Sequence, residues 1–191
     1  MDVYQILIIH NRPWSSGEIV AFLILLLVIL CYEIELISQK KIYISQAVSF
    51  IILFVFLAIV FESTVLSRRS GTRKYHLEIF WSWKAIIESI GKKEIPFRSE
   101  LLKENLLNMI LLFPVGVLLP IVMKRKVSWK AGLFVGLGIS MCIELLQLIL
   151  CRGYFEFDDI IHNAIGCMLG VLCVSVKTFA CKRSTRYRIA G

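Results

Sequence analysis

Five long apolar runs dominate the chain and leave it little choice of architecture. They cover about Gly17–Ile37, Ile42–Phe61, Asn105–Met123, Trp129–Leu150 and Ile160–Ala180. A helix rises about 1.5 Å per residue, so roughly 20 apolar residues cross a hydrocarbon core about 30 Å thick. Lipid offers no partner to a bare amide or carbonyl, so each run must satisfy its own backbone as a helix. The expected fold is all-α, a polytopic membrane helix bundle of about five transmembrane helices. Composition agrees: the 191 residues are 58% hydrophobic and only 19% charged, against about a quarter charged in soluble domains.

The runs divide the chain into residues 1–62, two N-terminal spans; 63–104, a polar segment; 105–180, a three-helix core; and 181–191, a basic tail. The short turn Ser38-Gln39-Lys40-Lys41 makes the first two helices antiparallel neighbours. Within the polar segment, Ile79, Trp83, Ile86 and Ile90 recur at helical spacing. Glu78, Ser82 and Glu88 take the opposite face, and Trp81 and Trp83 suit the headgroup zone. This predicts an interfacial amphipathic helix lying on the membrane, with packing against the bundle as the alternative. Pro114 removes a backbone donor inside the third span and Gly116 adds slack, so a kink is expected. Small residues recur every fourth position at Gly132, Gly136 and Ser140, and again at Gly166 and Gly170. Such stripes let helices approach closely in lipid, which predicts a hairpin of the fourth and fifth spans.

The net charge of +8 sits in loops and tail beside apolar runs, so anionic lipid rather than nucleic acid is the expected counter-charge. Cys31, Cys142, Cys151, Cys167, Cys173 and Cys181 show no CxxC pattern and read as packing residues. No cleavable signal peptide is expected, and insertion would rest on the first span. Short-loop charge sets the orientation. Lys124, Arg125, Lys126 and Lys130 in one turn, and Lys177, Lys182, Arg183, Arg186 and Arg188 in the tail, belong inside. The 151–159 loop, with Arg152 against Glu156, Asp158 and Asp159, belongs outside. The C-terminus is then cytoplasmic and the N-terminus outside. The 63–104 segment falls outside although its basic residues outnumber Glu78, Glu88, Glu94, Glu100 and Glu104.

Ionisable side chains within spans cost about 2.5–3.5 kcal/mol each on insertion scales and need a reason. Glu144 and Gln147 share a face of the fourth helix, with Glu144 roughly 9 Å from its outer end. Asn105 and Asn108 stand at the outer start of the third span. Asp158 with His162, and Asp159 with Asn163, form pairs at the outer start of the fifth, and Arg152 lies between the two sets. All of these fall on the extracytoplasmic side, a convergence that was no input to the charge argument. Helix capping explains Asn105 and Asp158, but no cap explains a carboxylate as deep as Glu144. Glu144, Gln147 and Arg152 therefore point to a polar pocket. No metal is expected, since His162 has no second histidine or cysteine at ligand spacing, and no cofactor is implied.

The stretches NLLNMILLFPVGVLLP and GISMCIELLQLILCRGYFEFDDIIHNAIGCMLG resemble the VanZ-like membrane proteins, a family named for a protein linked to teicoplanin resistance. The matching positions are Asn105, Asn108, Phe113, Pro114 and Gly116; Ser140, Glu144 and Gln147; Arg152; and Asp158, Asp159, Asn163, Gly166 and Gly170. TVLSRRSGTRKYHLEIF resembles the family's arginine-containing segment, with Arg68 the matching arginine. His76-Leu77-Glu78-Ile79-Phe80 departs from the family's asparagine–leucine–x–proline–phenylalanine pattern. The resemblance implies a bacterial plasma-membrane protein of the cell envelope associated with lowered teicoplanin sensitivity, without an established reaction.

Two functions compete. One is a binding protein whose outer pocket engages a lipid headgroup, a lipid-linked cell-wall precursor or a glycopeptide, with Arg152 as the partner for phosphate or carboxylate. The other is an enzyme on a lipid-linked substrate, with Glu144 or Asp159 as acid/base group. No activated nucleophile or phosphate-cradling glycine loop supports the second. Transport is disfavoured, because five spans hold no repeated half to rock against itself. A homo-oligomer stays open.

Overall fold

A computed structural model describes residues 14–68, 70–91 and 95–189, with side chains followed to Ser175. Helix α1 spans Ser16–Ser38 and α2 Ile44–Phe61, and α2 runs on into a π-turn at Glu62–Leu66. Strand β1 (Lys74–His76), α3 (Trp81–Gly91), α4 (Ile95–Val122), α5 (Trp129–Leu150), β2 (Tyr154–Glu156) and α6 (Phe157–Ile189) follow. Segments Ser16–Ser38, Ile44–Leu66, Ile95–Val122, Trp129–Leu150 and Phe157–Ser175 are long and apolar enough to cross a membrane. The protein is a multi-pass, all-α membrane helix bundle, its only departure among the described residues being the short strand pair β1–β2.

Contacts divide the chain into two compact units. One holds the residues up to Tyr75 with Ile143–Phe155, the other His76–Cys142 with the residues from Glu156 onward. In the first unit, α1 starts on a capping box: Glu18 N donates to Ser15 Oγ at 3.3 Å, and Ser15 N donates to the Glu18 carboxylate at 2.8 Å. Phe22 stacks on Phe54, with centroids 6.1 Å apart, joining α1 to α2. At the end of α2, Ser67 N bonds Glu62 O at 2.8 Å, the five-residue reach of a π-turn.

The second unit is a close-packed helical core. An added Cβ at Gly116 would stand 1.9 Å from Cys167 O, at Gly166 1.7 Å from Met109 O, and at Gly170 2.2 Å from Phe113 O. These glycines therefore let α4 and α6 meet backbone to backbone. Gly132 and Gly136 of α5 bring it onto α6, where their added Cβ atoms would stand 2.7 Å from Val171 and 2.8 Å from Ala164. The expected stripe on the fifth span thus faces a different neighbour. Gly166 and Gly170 close onto α4, and the α5–α6 approach uses Gly132 and Gly136. Leu112, Val115, Cys167 and Val171 fill the space between, almost wholly buried.

Several boundaries differ from the sequence expectation. Helix α4 begins at Ile95, ten residues ahead of Asn105, because polar IPFRSELLKE is helical without being apolar. Pro114 and Pro120 lie within that one helix. Helix α6 starts at Phe157 and its backbone stays helical through most of the basic tail, to Ile189. Helix α3 starts only at Trp81, and it buries Ser82, Ile86 and Ser89 while Ile79 and Ile90 are exposed. Of the expected apolar face, Ile86 is buried, and Ser82 and Ser89 turn inward with it. Buried hydrogen bonds to Ser82 decide which face of α3 turns inward.

Candidate functional site

In the second unit the polar side chains form a connected network centred on Asp158. Following β2 directly, α6 places Asp158 in its first turn, 1% exposed. The Asp158 carboxylate accepts Phe80 N at one oxygen and, at the other, Ser82 N at 3.0 Å and Ser82 Oγ at 2.6 Å. It thereby caps the N-terminus of α3, where unsatisfied amides and the helix dipole favour an acceptor of negative charge. Ser82 Oγ in turn accepts Asn105 Nδ2 at 3.2 Å, so one hydroxyl links α3, α4 and α6.

One turn further along α6, His162 Nε2 accepts the indole N–H of Trp83 at 2.8 Å. The indole can only donate, so the neutral ring carries its proton on Nδ1. Asn163 Nδ2 donates to Ser140 Oγ at 2.8 Å, joining α6 to α5, and Asn108 Nδ2 donates to Asp159. Nearer the loop, Trp81 Nε1 donates to Glu156 at 3.2 Å and stacks on His76 at 4.6 Å. Burial, followed by the nearby Glu104 charge, pushes the Glu156 carboxyl above its usual range. Two atoms of this network, His162 Nδ1 and Asn163 Oδ1, are buried with no partner among the described residues.

The first unit carries a separate cluster on the end of α5 and the loop after it. Glu144 and Gln147 are 2% and 3% exposed. Gln147 Nε2 donates to Thr64 O at 3.0 Å, and Arg152 Nη1 donates to Leu66 O at 2.7 Å. Both acceptors belong to the π-turn that ends the α2 run, where the last carbonyls of a helix have no partner within it. Arg152 Nε also reaches Ser70 Oγ at 3.5 Å. Gly153 has φ +120°, and an added Cβ there would stand 2.7 Å from Arg68 Nη1.

These positions revise the sequence reading of single residues. Asp158 caps α3 and not its own helix, because its carboxylate points at Phe80 and Ser82. Asn105 lies deep inside α4, where no cap is needed, and serves Ser82. Ser82, on the face opposite the isoleucines, and Trp83, suited to the headgroup zone, both bond residues of α6. Nothing in their local spacing signals this. Glu33, a carboxylate in the apolar run VILCYEIELIS, is a further candidate that the sequence itself signals; it is 7% exposed, with Oε2 unpartnered among the described residues. Among the described residues no group of three or more His, Cys, Asp or Glu side chains is placed to hold a metal ion.

Neither a curated protein nor a solved structure matches the chain. The VanZ/LLP1 family matches residues 43–178, a range that begins just before α2 and takes in both polar clusters. With well over half of its length covered, the chain belongs to the VanZ/LLP1 family.

Proposed function

We propose that this VanZ/LLP1 protein is a non-catalytic binding protein of the bacterial plasma membrane. It holds a lipid headgroup, a lipid-linked cell-wall precursor or a glycopeptide from the outer leaflet, and it lowers glycopeptide (teicoplanin) sensitivity. Loop 151–159 and the N-terminus face outside, and the C-terminus is cytoplasmic. The observation that carries the reading is the pair of buried, unpartnered atoms His162 Nδ1 and Asn163 Oδ1. Each costs about 1–3 kcal/mol unless something supplies a partner, and together they offer one donor and one acceptor to a polar guest. Asn105, Asn108, Asp158 and Asp159 order the helices around these atoms. Glu144 and Gln147 act at the end of α5, and Arg152 at the loop after it.

An acid/base enzyme on a lipid-linked substrate is the rival reading, and the hydrogen bonding favours it less. Three donors occupy most of the acceptor capacity of Asp158, and Trp83 engages the lone pair of His162 that would take a proton. The test expresses the protein in a glycopeptide-sensitive bacterium and reads the teicoplanin concentration that stops growth. Wild type should protect, while Asn163→Ala, Glu144→Gln and Arg152→Ala should each lose protection at unchanged membrane abundance. Equal protection by all three variants removes the binding role. Turnover of a purified lipid-linked precursor would favour the enzyme instead.

A further inference from the structure

The segment after the π-turn and the loop after α5 bring two arginines, Arg68 and Arg152, to the same end of their spans. Residues 67–77 are SRRSGTRKYHL and residues 151–155 are CRGYF. Gly71 N bonds Cys151 O at 2.7 Å, so the two segments are tied together by backbone. Arg68 and Arg152 each stand two residues beyond the end of a candidate span, Ile44–Leu66 and Trp129–Leu150. That is the level at which lipid headgroups begin.

The two arginines are held differently. The Leu66 carbonyl and the Ser70 hydroxyl fix Arg152. The Arg68 guanidinium has no hydrogen-bond or ion-pair partner among the described residues, and it rests where the missing side chain of Gly153 leaves room. Gly153 is suited to this in two ways. Its φ of +120° is one that L side chains rarely adopt, and a Cβ would collide with Arg68 Nη1. A half-buried guanidinium with five donors and no partner among the described residues is an unfinished ion pair. Lys74, by contrast, is already engaged, donating to Tyr154 Oη at 2.8 Å and lying 4.7 Å over its ring.

We infer that Arg68 and Arg152 form a binding site for the phosphate of an anionic lipid headgroup, with Arg68 as the direct ligand and Arg152 as a positioned second cation. Planar guanidinium forks match phosphate oxygens in pairs. Two guanidinium charges at one headgroup level favour an anionic headgroup over a zwitterionic one. The inference rests on the proposed reading of an outer-leaflet polar ligand and specifies that ligand's anionic part.

The experiment measures lipid retained by the purified full chain in detergent, by native mass spectrometry, with phosphatidylglycerol or phosphatidylcholine added. Wild type should retain phosphatidylglycerol in preference to phosphatidylcholine. Arg68→Gln and Arg152→Gln should each weaken that retention by about tenfold or more, the change expected for one lost charge-assisted hydrogen bond. Arg68→Lys should fall between, because it keeps the charge and loses the fork. Lys74→Gln should change retention by less than about twofold, since its ammonium is committed to Tyr154. Helix content by circular dichroism identifies any variant that fails to fold, and Arg68→Lys then carries the test. Inorganic phosphate added in competition separates the sources. Displacement of the lipid shows that the phosphate group alone is recognised; retention of the lipid shows that the rest of the headgroup or the acyl chains contribute. Wild-type retention by both Arg68→Gln and Arg68→Lys overturns the site. Retention is read without any antibiotic, so failure of the glycopeptide reading in cells leaves this result standing, and the reverse holds as well.

Discussion

Helices α1 and α6 solve the problem of crossing a membrane in opposite ways. In α1 only 6% of the most apolar window is buried within the protein, and Leu23, Leu27, Val28 and Tyr32 are more than half exposed. In α6, the least apolar of the five spans, half of the window is buried. A helix that faces lipid needs apolar surface and no shape, because tails are as apolar as leucine. A helix that faces other helices can carry Asp158, His162 and Asn163, provided their partners are built in, and it needs glycines where backbones touch. High hydropathy therefore marks the span that does the least specific work. The polar, glycine-bearing span is where the family match and the buried network coincide.

The largest expected effect comes from filling the tightest contact of α6. Gly166→Ala would set a Cβ 1.7 Å from the Met109 carbonyl, so it should cost more than about 4 kcal/mol or abolish folding. Thermal unfolding in detergent reads this directly. Gly138→Ala on α5, where nothing lies within 4 Å, should leave stability unchanged or raise it by up to about 1 kcal/mol. Similar losses from both would break the comparison.

Removing the cap of α3 comes next. Asp158→Ala leaves the amides of Phe80 and Ser82 and the Ser82 hydroxyl without their acceptor, an expected loss of about 2–4 kcal/mol. Limited proteolysis should then cleave near residues 77–81 faster than in wild type, while Asp158→Asn, which keeps one acceptor, should lose less.

Truncation at the lipid-facing helix should matter far less. Leu27→Ala on α1, at a position 61% exposed, should change stability by no more than about 0.5 kcal/mol, whereas Leu112→Ala on α4, fully buried, should cost about 2–5 kcal/mol. A loss at Leu27 equal to that at Leu112 would show that α1 is buried against a partner.

The smallest effect concerns pH at the loop before α6. Glu156 is raised above its usual range by burial and by Glu104, so the folded chain favours its protonated form. Its contribution to stability is fully present below the ordinary glutamate range and is lost as pH rises through the raised value. Glu156→Gln keeps an acceptor for Trp81 and should flatten that part of the stability–pH profile, as measured by unfolding midpoints across it.

The bundle was legible where one variable governs it. Apolar runs placed α1, α2 and α5 to within a few residues, because burial in lipid depends on composition over some 20 positions and little else. The reading failed at the start of α4, where IPFRSELLKE is helical through packing and hydrogen bonding in spite of its polarity. It failed at the π-turn too, since Glu62–Leu66 carries no local signal and its carbonyls are bonded by Gln147 and Arg152, some 80 residues further on. At the polar network, the residue types in Asn105, Asp158 and Asn163 were visible, but their partners Ser82, Trp83 and Ser140 come from other helices.

By itself the sequence determined that this chain crosses a membrane about five times, where the crossings lie, and that costly polar groups collect around the third, fourth and fifth spans. Those outcomes follow from transfer free energies, which sum over residues regardless of what the rest of the chain does. Only the tertiary structure decided that Asp158 caps α3, that Gly166 and Gly170 close onto α4 rather than α5, and that the Arg68 guanidinium lies against Gly153. Hydrogen bonds and backbone contacts are directional and depend on distances of a few tenths of an ångström. They exist only once the helices have chosen their neighbours.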